Sequence, residues 1–220
     1  MAQRSSKEEK MYLRIRNLCG LLGVILPWLA LFSAGIADHS GTGGQWWWSI
    51  SATYYLTPAL VGVLVPACIV LVSYIGYDWS DNVLTTLAGL FGLGIVLFPC
   101  AVSWNPPGKP VGFFQLPMET SQIIHTVCAC LFFVLNAIIA IFQFTRHGDN
   151  VTPRKLLRNK VYRFCGYGML AVMVIFAVSR LFHAPKWTVM IVEIILLHLY
   201  GFAWLTKGEA FPFLNDPEES

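Results

Sequence analysis

Six long apolar segments divide this chain of 220 residues, and no other feature of the sequence constrains the fold as strongly. A transmembrane helix needs about 20 consecutive, mostly apolar residues, and each segment approaches that length. The expected spans lie at about 18–37, 58–77, 84–103, 121–144, 162–182 and 187–205. We therefore predict an all-α fold: a polytopic membrane helix bundle with six transmembrane helices, forming a single membrane domain over residues 1–220.

The Lys and Arg residues predict the orientation of this bundle, because cytoplasmic loops carry an excess of basic residues. Most of the 15 basic residues precede the first segment, surround the loop between the fourth and fifth, or follow the sixth. Only Lys109, Arg180 and Lys186 fall on the other side. Both the N- and the C-terminus are therefore expected in the cytoplasm, which agrees with an even number of spans. The first segment is too long for a cleavable signal peptide, and we expect it to be retained.

The composition excludes an ordinary water-soluble domain. The chain is 56% hydrophobic and 12% charged, whereas a soluble domain is about 25% charged. Its net charge of +3 collects on the loops that are expected to be cytoplasmic. Such a distribution indicates membrane lipids as partners and no binding of nucleic acid.

The fourth span carries a polar face. Ser121, His125, Asn136 and Gln143 share one side of a helix at about 100° per residue. This face should point into the bundle rather than toward lipid. It has two interpretations that the sequence leaves open, namely interhelical hydrogen bonding and a functional site.

The sixth span carries a buried acid. Glu193 lies about two turns from the outer end of this span, and Arg180 or His125 would be its natural partners. His198 lies on a different side of the same helix, where it is expected to bond a neighbouring helix. Lys207, at the inner end, is expected to extend toward the headgroups.

The outer loop at 38–56 is rich in aromatic and hydroxyl side chains, with three Trp at 46–48 followed by Ser49–Tyr55. Tryptophan and tyrosine favour the membrane interface, so the loop can be an aromatic anchor. The alternative is a lid that covers a polar pocket with its hydroxyl groups.

Because the polar residues of the last three spans lie mainly in the outer half, we predict an outward-facing polar pocket. It would bind a small ligand, a lipid headgroup or an ion, as in a transporter, channel or sensor. Its candidate ligand-binding residues are His125, Glu193, Arg180, Glu119, Tyr54 and Tyr55. No cofactor is predicted, and an enzyme is the less favoured class.

Two other functional classes stay open. One is a metal-dependent membrane hydrolase acting on lipid, with zinc held by His125, His183, His198 and either Glu193 or Glu119. The other is a structural subunit of a membrane complex, which includes a homo-oligomer of this chain.

Three short stretches carry a resemblance: Ser49–Tyr55, Ile75–Asp78 and Ala88–Phe91. They resemble a family of small bacterial six-span integral membrane proteins of unassigned function. This resemblance implies a bacterial cytoplasmic (inner) membrane and brings no activity with it. The chain also resembles the alkaline ceramidases in size and in having intramembrane His and acid residues. It lacks their His-x-x-x-His pair, because Ile194 and Phe202 flank His198 at that spacing.

Two helix starts are predicted from capping residues. Asp81 or Asn82 should cap the third helix, and the Thr152-Pro153 dipeptide should begin a short amphipathic turn in the loop before the fifth span.

Overall fold

The computed structural model describes residues 6–38, 41–76, 78–146 and 151–216 of the chain. Within these ranges the fold is built from six α-helices, which confirms the predicted all-α class. Their bounds are α1 Ser6–Ala37, α2 Ala59–Val72, α3 Trp79–Leu97, α4 Met118–Ile138, α5 Pro153–Leu181 and α6 Thr188–Lys207. Tyr77, the expected last residue of the second span, lies outside the described residues.

Every helix except α2 is long and apolar enough to cross a membrane. Helix α2 has 14 residues, so its length is about 21 Å at 1.5 Å per residue, against an apolar bilayer thickness of about 30 Å. Helix α2 is preceded by a 3-10 turn at Ser51–Tyr55 and followed by non-helical residues after Ser73. The helices thus indicate an integral membrane protein, whereas the count of six spans stays a prediction.

Helix α3 begins earlier than predicted, because Asp78 is its N-cap. The Asp78 side chain accepts a hydrogen bond from the Asp81 N–H at 3.0 Å. The prediction that Asp81 or Asn82 caps the helix was wrong. Asp81 instead pairs with Arg146 at 3.1 Å, and Asn82 accepts a hydrogen bond from the Gly76 N–H. The bond from Asp81 N–H, together with the Ser80 hydroxyl and Arg146, holds the pKa of Asp78 below its usual value.

Helix α5 begins at the predicted helix-start signal, but it runs without a break to Leu181, so the short turn expected in the loop is the first part of the fifth helix. Thr152 is the N-cap, its hydroxyl accepts a hydrogen bond from the Lys155 N–H at 3.0 Å, and Pro153 occupies the first turn. Proline is well suited to this position because its missing N–H would have no partner inside the helix.

The six helices form a closed ring in chain order. Each helix packs against the next, and α6 returns to pack against α1. Aromatic side chains fill the space across the ring: Phe132 of α4 lies 5.5 Å from Tyr200 of α6, and Trp204 is 1% exposed. The ring therefore has a packed interior rather than a wide lumen along these residues.

The polar face predicted for α4 points inward. Its four members are each less than a tenth exposed, namely Ser121, His125, Asn136 and Gln143. Beyond Ile138 the helix continues as a π-helical turn, Ile139–Gln143, which ends beside the N-terminus of α3.

The ring has two chemically distinct ends. The Glu193 end holds the start of α6, the loop at 41–58 and a short antiparallel pair of strands, β1 Pro110–Val111 and β2 Leu116–Pro117. The opposite end, called the basic end here, holds Arg16, Arg146, Lys155 and Lys207.

Two glycines allow α1 and α6 to approach closely. A Cβ added at Gly201 would lie 2.6 Å from Val24 Cγ2 and 2.8 Å from the Gly20 carbonyl oxygen. A Cβ at Gly20 would in turn lie 2.6 Å from the Leu205 nitrogen. Small residues at such crossings let helix backbones touch, as in other membrane helix pairs.

Replacing Gly201 by alanine should therefore destabilise the closure of the ring. We expect Gly201→Ala to lower the free energy of unfolding by about 1–3 kcal/mol, because the added methyl group meets backbone atoms. Gly62→Ala is the matched control, since a Cβ at Gly62 meets nothing within 4 Å. Denaturant unfolding in detergent should show a loss for Gly201→Ala and none for Gly62→Ala. Equal stability of the two variants would contradict this account of the α1–α6 contact.

Candidate functional site

The Glu193 carboxylate is bound by the loop at the same end of the ring. Its Oε1 accepts a hydrogen bond from the Ser51 hydroxyl at 2.7 Å, and its Oε2 accepts one from the Ile50 N–H at 2.6 Å. The Ser49 hydroxyl lies within 3.1 Å of Oε1 and 2.9 Å of Oε2. Three consecutive loop residues thus surround one carboxylate of α6.

Local backbone geometry explains how three neighbours reach the same group. A 3-10 turn, Trp46–Trp48, leads into Ser49, which is extended with φ −153° and ψ 141°. The chain then enters the second 3-10 turn at Ser51–Tyr55. The start of a helical turn leaves N–H groups without intrahelical partners, and here the carboxylate accepts one of them. Hydrogen bonds to a charged group contribute about 1.5–3 kcal/mol each, so this contact fixes the loop.

The partners of Glu193 differ from the expected ones. The sequence suggested Arg180 or His125, whereas the hydrogen bonds in the structure come from Ser49, Ile50 and Ser51. Two hydroxyl groups of the loop therefore contact an ionisable group of the sixth helix, and they do so by donating hydrogen bonds directly to its carboxylate.

Tyr55 and Tyr54 lie on the next part of the loop. The Tyr55 hydroxyl donates a hydrogen bond to the Cys100 carbonyl oxygen at 2.7 Å, and burial raises the pKa of this phenol well above its usual value. The two tyrosine rings meet edge to face at 5.2 Å. Together with the chain up to Val61 they line an open depression of about 420 Å³.

His125 donates hydrogen bonds to backbone carbonyl groups at the C-terminal end of α3. Its Nδ1 lies 3.1 Å from the Ile95 carbonyl oxygen and 2.9 Å from that of Phe98. Since both partners are acceptors, Nδ1 carries the hydrogen. The nearby Ser121 hydroxyl donates to the Pro99 carbonyl oxygen at 2.7 Å. This part of the polar face satisfies backbone groups that α3 leaves open at its end.

The remaining candidates also bind backbone groups. Glu119 accepts a hydrogen bond from the Gly108 N–H at 3.0 Å. Arg180 donates to the Ala184 carbonyl oxygen at 3.1 Å, and His183 is an exposed residue in the left-handed region with φ 57°. The structure thus gives His125, Glu119 and Arg180 separate hydrogen-bond partners, and the hydrogen bonds to Glu193 come from the loop residues Ser49, Ile50 and Ser51.

His198 uses both ring nitrogens in contacts with protein. Trp28 Nε1 donates to His198 Nε2 at 3.1 Å, and Nδ1 lies 2.8 Å from the Ile194 carbonyl oxygen. Nε2 is therefore the acceptor and Nδ1 the donor, which leaves no free nitrogen lone pair for a metal in this conformation. In the described ranges, no three His, Cys, Asp or Glu side chains form a group that could hold a metal ion.

Sequence reasoning overlooked a second polar region, at the basic end. Asp81 is 4% exposed and Lys207 9% exposed, although Lys207 was expected to extend outward. A cavity of about 10 Å³ lies among Tyr74, Asp81, Gln143, Phe144 and Lys207, which is about the space of one water molecule. The sequence held one signal for this region. Asp78 and Asp81 lie in a loop on the same predicted side of the membrane as the basic loop that begins at Arg146.

The fold and its apolar helices define a class, an integral membrane helix bundle, in which a loop is hydrogen-bonded to a half-buried acid. Comparison with protein-family models, with curated proteins and with solved structures finds no match to this chain. The resemblance to small bacterial six-span proteins therefore stays a prediction.

Removing the charge of Glu193 should release the loop. We expect Glu193→Gln to raise amide hydrogen exchange at 46–55 by at least about tenfold, because one lost hydrogen bond to a charged group contributes roughly 1.5 kcal/mol or more. Glu119→Gln is the control, since Glu119 binds a different loop through Gly108. Exchange mass spectrometry on the two variants measures the effect. Unchanged protection at 46–55 in Glu193→Gln would show that other contacts hold the loop.

Proposed function

We propose that this integral membrane protein binds a small ligand, a lipid headgroup or an ion at the Glu193 end, and that the loop at 46–55 acts as a lid. The observation that carries the proposal is the Glu193 carboxylate itself, which accepts hydrogen bonds from Ser49, Ile50 and Ser51. An ionisable side chain within a membrane helix is expensive to keep and commonly marks a functional site.

The chemistry around Glu193 favours a positively charged ligand. One carboxylate and two hydroxyl groups supply oxygen atoms, which suit small inorganic cations and ammonium groups alike. Trp48 directly precedes Ser49 in the loop, and the faces of such rings attract cations. Lys186 already lies 5.6 Å from the Trp48 ring centroid, so a cation is accommodated beside this loop.

Binding at this site requires the loop to move, because protein donors already occupy the carboxylate oxygens. A ligand cation would replace the hydrogen bonds from the loop, and the loop would close again over the bound ligand or stay displaced. Below the site, the contact between Phe132 and Tyr200 fills the ring. This closed interior favours a sensor, or a transporter in an occluded state, over an open channel.

We further propose six spans in a bacterial cytoplasmic membrane, with both termini in the cytoplasm and the Glu193 end outside. Contacts at both ends of α2 support counting this helix as a span despite its 14 residues. Thr57 bonds with Ser33 at 2.9 Å near the end of α1, and Tyr74 accepts a hydrogen bond from Arg16 near its start. The segment from Thr57 to Tyr74 therefore runs from one end of the ring to the other. The distribution of Lys and Arg supports the orientation.

Three probe cations test the ligand class, namely sodium, methylammonium and choline. For the purified protein in nanodiscs, we expect one of them to raise the melting temperature at millimolar concentration, because a ligand at 100 times its Kd stabilises by about 2.7 kcal/mol. Glu193→Gln should abolish the shift, and Glu119→Gln should retain it. The proposal of a cation site is wrong if wild type responds to none of the three, or if Glu193→Gln responds as wild type does.

Labelling of one introduced cysteine at a time tests the topology. With six spans, a membrane-impermeant maleimide should label Lys109→Cys in intact cells, and should label Lys10→Cys and Lys160→Cys only after permeabilisation. If α2 does not cross, Lys10→Cys still reacts only after permeabilisation. Lys109→Cys then also reacts only after permeabilisation, whereas Lys160→Cys reacts in intact cells. The unsubstituted protein controls for reaction of its own six cysteines.

A further inference from the structure

Asp38 directly follows the last residue of α1 and carries a buried carboxylate oxygen without a partner. Its Oδ2 accepts a hydrogen bond from the Thr42 hydroxyl at 2.9 Å. Its Oδ1 is shielded from solvent, and no hydrogen bond from the described part of the chain reaches it. Buried polar atoms nearly always have partners, so an exception calls for an explanation such as a bound water molecule or ion.

The end of α1 adds negative charge at the same place. A helix C-terminus carries a partial negative charge, because its last carbonyl groups have no partners inside the helix. The Asp38 N–H donates to the Ala34 carbonyl oxygen at 2.9 Å, so the carboxylate is held directly against the last turn of α1. An acid in this position is unfavourable, whereas a cation is stabilised there.

The chain after Asp38 forms a compact turn that brings another oxygen atom to the carboxylate. Thr42 is 3% exposed, and its carbonyl oxygen accepts a hydrogen bond from the Gln45 N–H at 3.2 Å. Between these two residues, Gly43 and Gly44 have φ values of 58° and 76°, which glycine adopts without steric cost. A Cβ added at either glycine would meet nothing within 4 Å, so the turn is open on this side.

The oxygen atoms at this place suit calcium. Calcium takes about 6–8 oxygen ligands from carboxylates, carbonyl groups and water in a flexible geometry, whereas magnesium requires a near-ideal octahedron. The Asp38 carboxylate is the only charged ligand that we assign, and ligand charge tunes the affinity of calcium sites. We therefore expect a weak site, with a Kd of about 10⁻⁴–10⁻³ M.

We propose that Asp38 and Thr42 form a calcium site at the C-terminal end of α1. The Asp38 carboxylate is the charged ligand, the Thr42 hydroxyl oxygen is a neutral one, and water completes the coordination. The ion offsets the negative charge of the helix end and ties the start of the loop at 41–58 to α1. This site is distinct from the Glu193 carboxylate, whose donors are Ser49, Ile50 and Ser51.

Terbium luminescence tests this site, because terbium(III) occupies calcium sites and is excited through nearby tryptophan. Trp46 lies against the end of α1, since a Cβ added at Gly35 would lie 2.9 Å from its ring. Purified protein in neutral detergent is first treated with a chelator. It is then titrated with terbium, and calcium or magnesium is added as a competitor. The melting temperature is measured with and without each ion.

Wild type should show terbium luminescence that millimolar calcium displaces more effectively than magnesium does, and calcium should raise its melting temperature. Asp38→Asn should weaken calcium binding at least about tenfold, because it removes the charged ligand. Without calcium this variant should melt no lower than wild type, since it removes a negative charge from a helix C-terminus. Thr42→Val, which keeps the charge, should weaken binding by about twofold to fivefold, and it decides the question if Asp38→Asn does not fold.

Glu193→Gln and Glu119→Gln are the controls, and both should bind calcium as wild type does. The proposal is overturned if wild type shows neither terbium luminescence nor a calcium shift, which leaves water as the partner of Oδ1. It is equally overturned if Asp38→Asn responds as wild type does, or if Glu193→Gln abolishes the response and so assigns the ion to Glu193. The sodium, methylammonium and choline shifts test the Glu193 site separately, so either proposal can fail without the other.

Discussion

The hydrogen bonding of helix ends organises this structure. A helix leaves its last carbonyl groups without partners, and an apolar surrounding offers no water to replace them. Polar side chains of α4 supply bonds at the end of α3: His125 reaches the carbonyls of Ile95 and Phe98, and Ser121 donates to the Pro99 carbonyl just after it. The polar face of α4 therefore joins two successive helices. Glu193 stands out because three consecutive residues of one loop surround its carboxylate.

The two ends of the ring accommodate charge by different means. At one end, neutral donors from Ser49, Ile50 and Ser51 surround the Glu193 carboxylate. At the other end, the rings of Tyr74, Tyr162 and Phe144 lie against the side chains of Arg16, Lys155 and Lys207. Donors on a short loop can be exchanged for a ligand at the cost of moving only that loop. Rings that pack on one another cannot move separately. The basic end is therefore the more rigid end of the ring, and the loop at the Glu193 end is the part that can be displaced.

The sequence predicted what depends on periodicity and on local capping. The inward face of α4, a helix start at Thr152-Pro153 and most of the apolar helices follow from those signals, although the turn at Pro153 was not expected to be continuous with the fifth span. It did not predict the partner of Glu193, because periodicity tells which face of a helix is buried and not which loop folds over it. Nor did it predict the burial of Lys207, which depends on the rings of Tyr74, after α2, and Phe144, after the π-helical turn. Asp78 was passed over as a cap because the apolar pattern of α3 begins several residues later than its hydrogen bonds do.

The π-helical turn at Ile139–Gln143 decides which way Phe144 points. Such a turn accommodates one residue more than an α-helical turn. Deleting that residue would rotate everything after it by about 100°. Phe144 would then leave Trp204, whose ring it meets edge to face at 4.9 Å, and the ring face beside Lys207 would be lost with it.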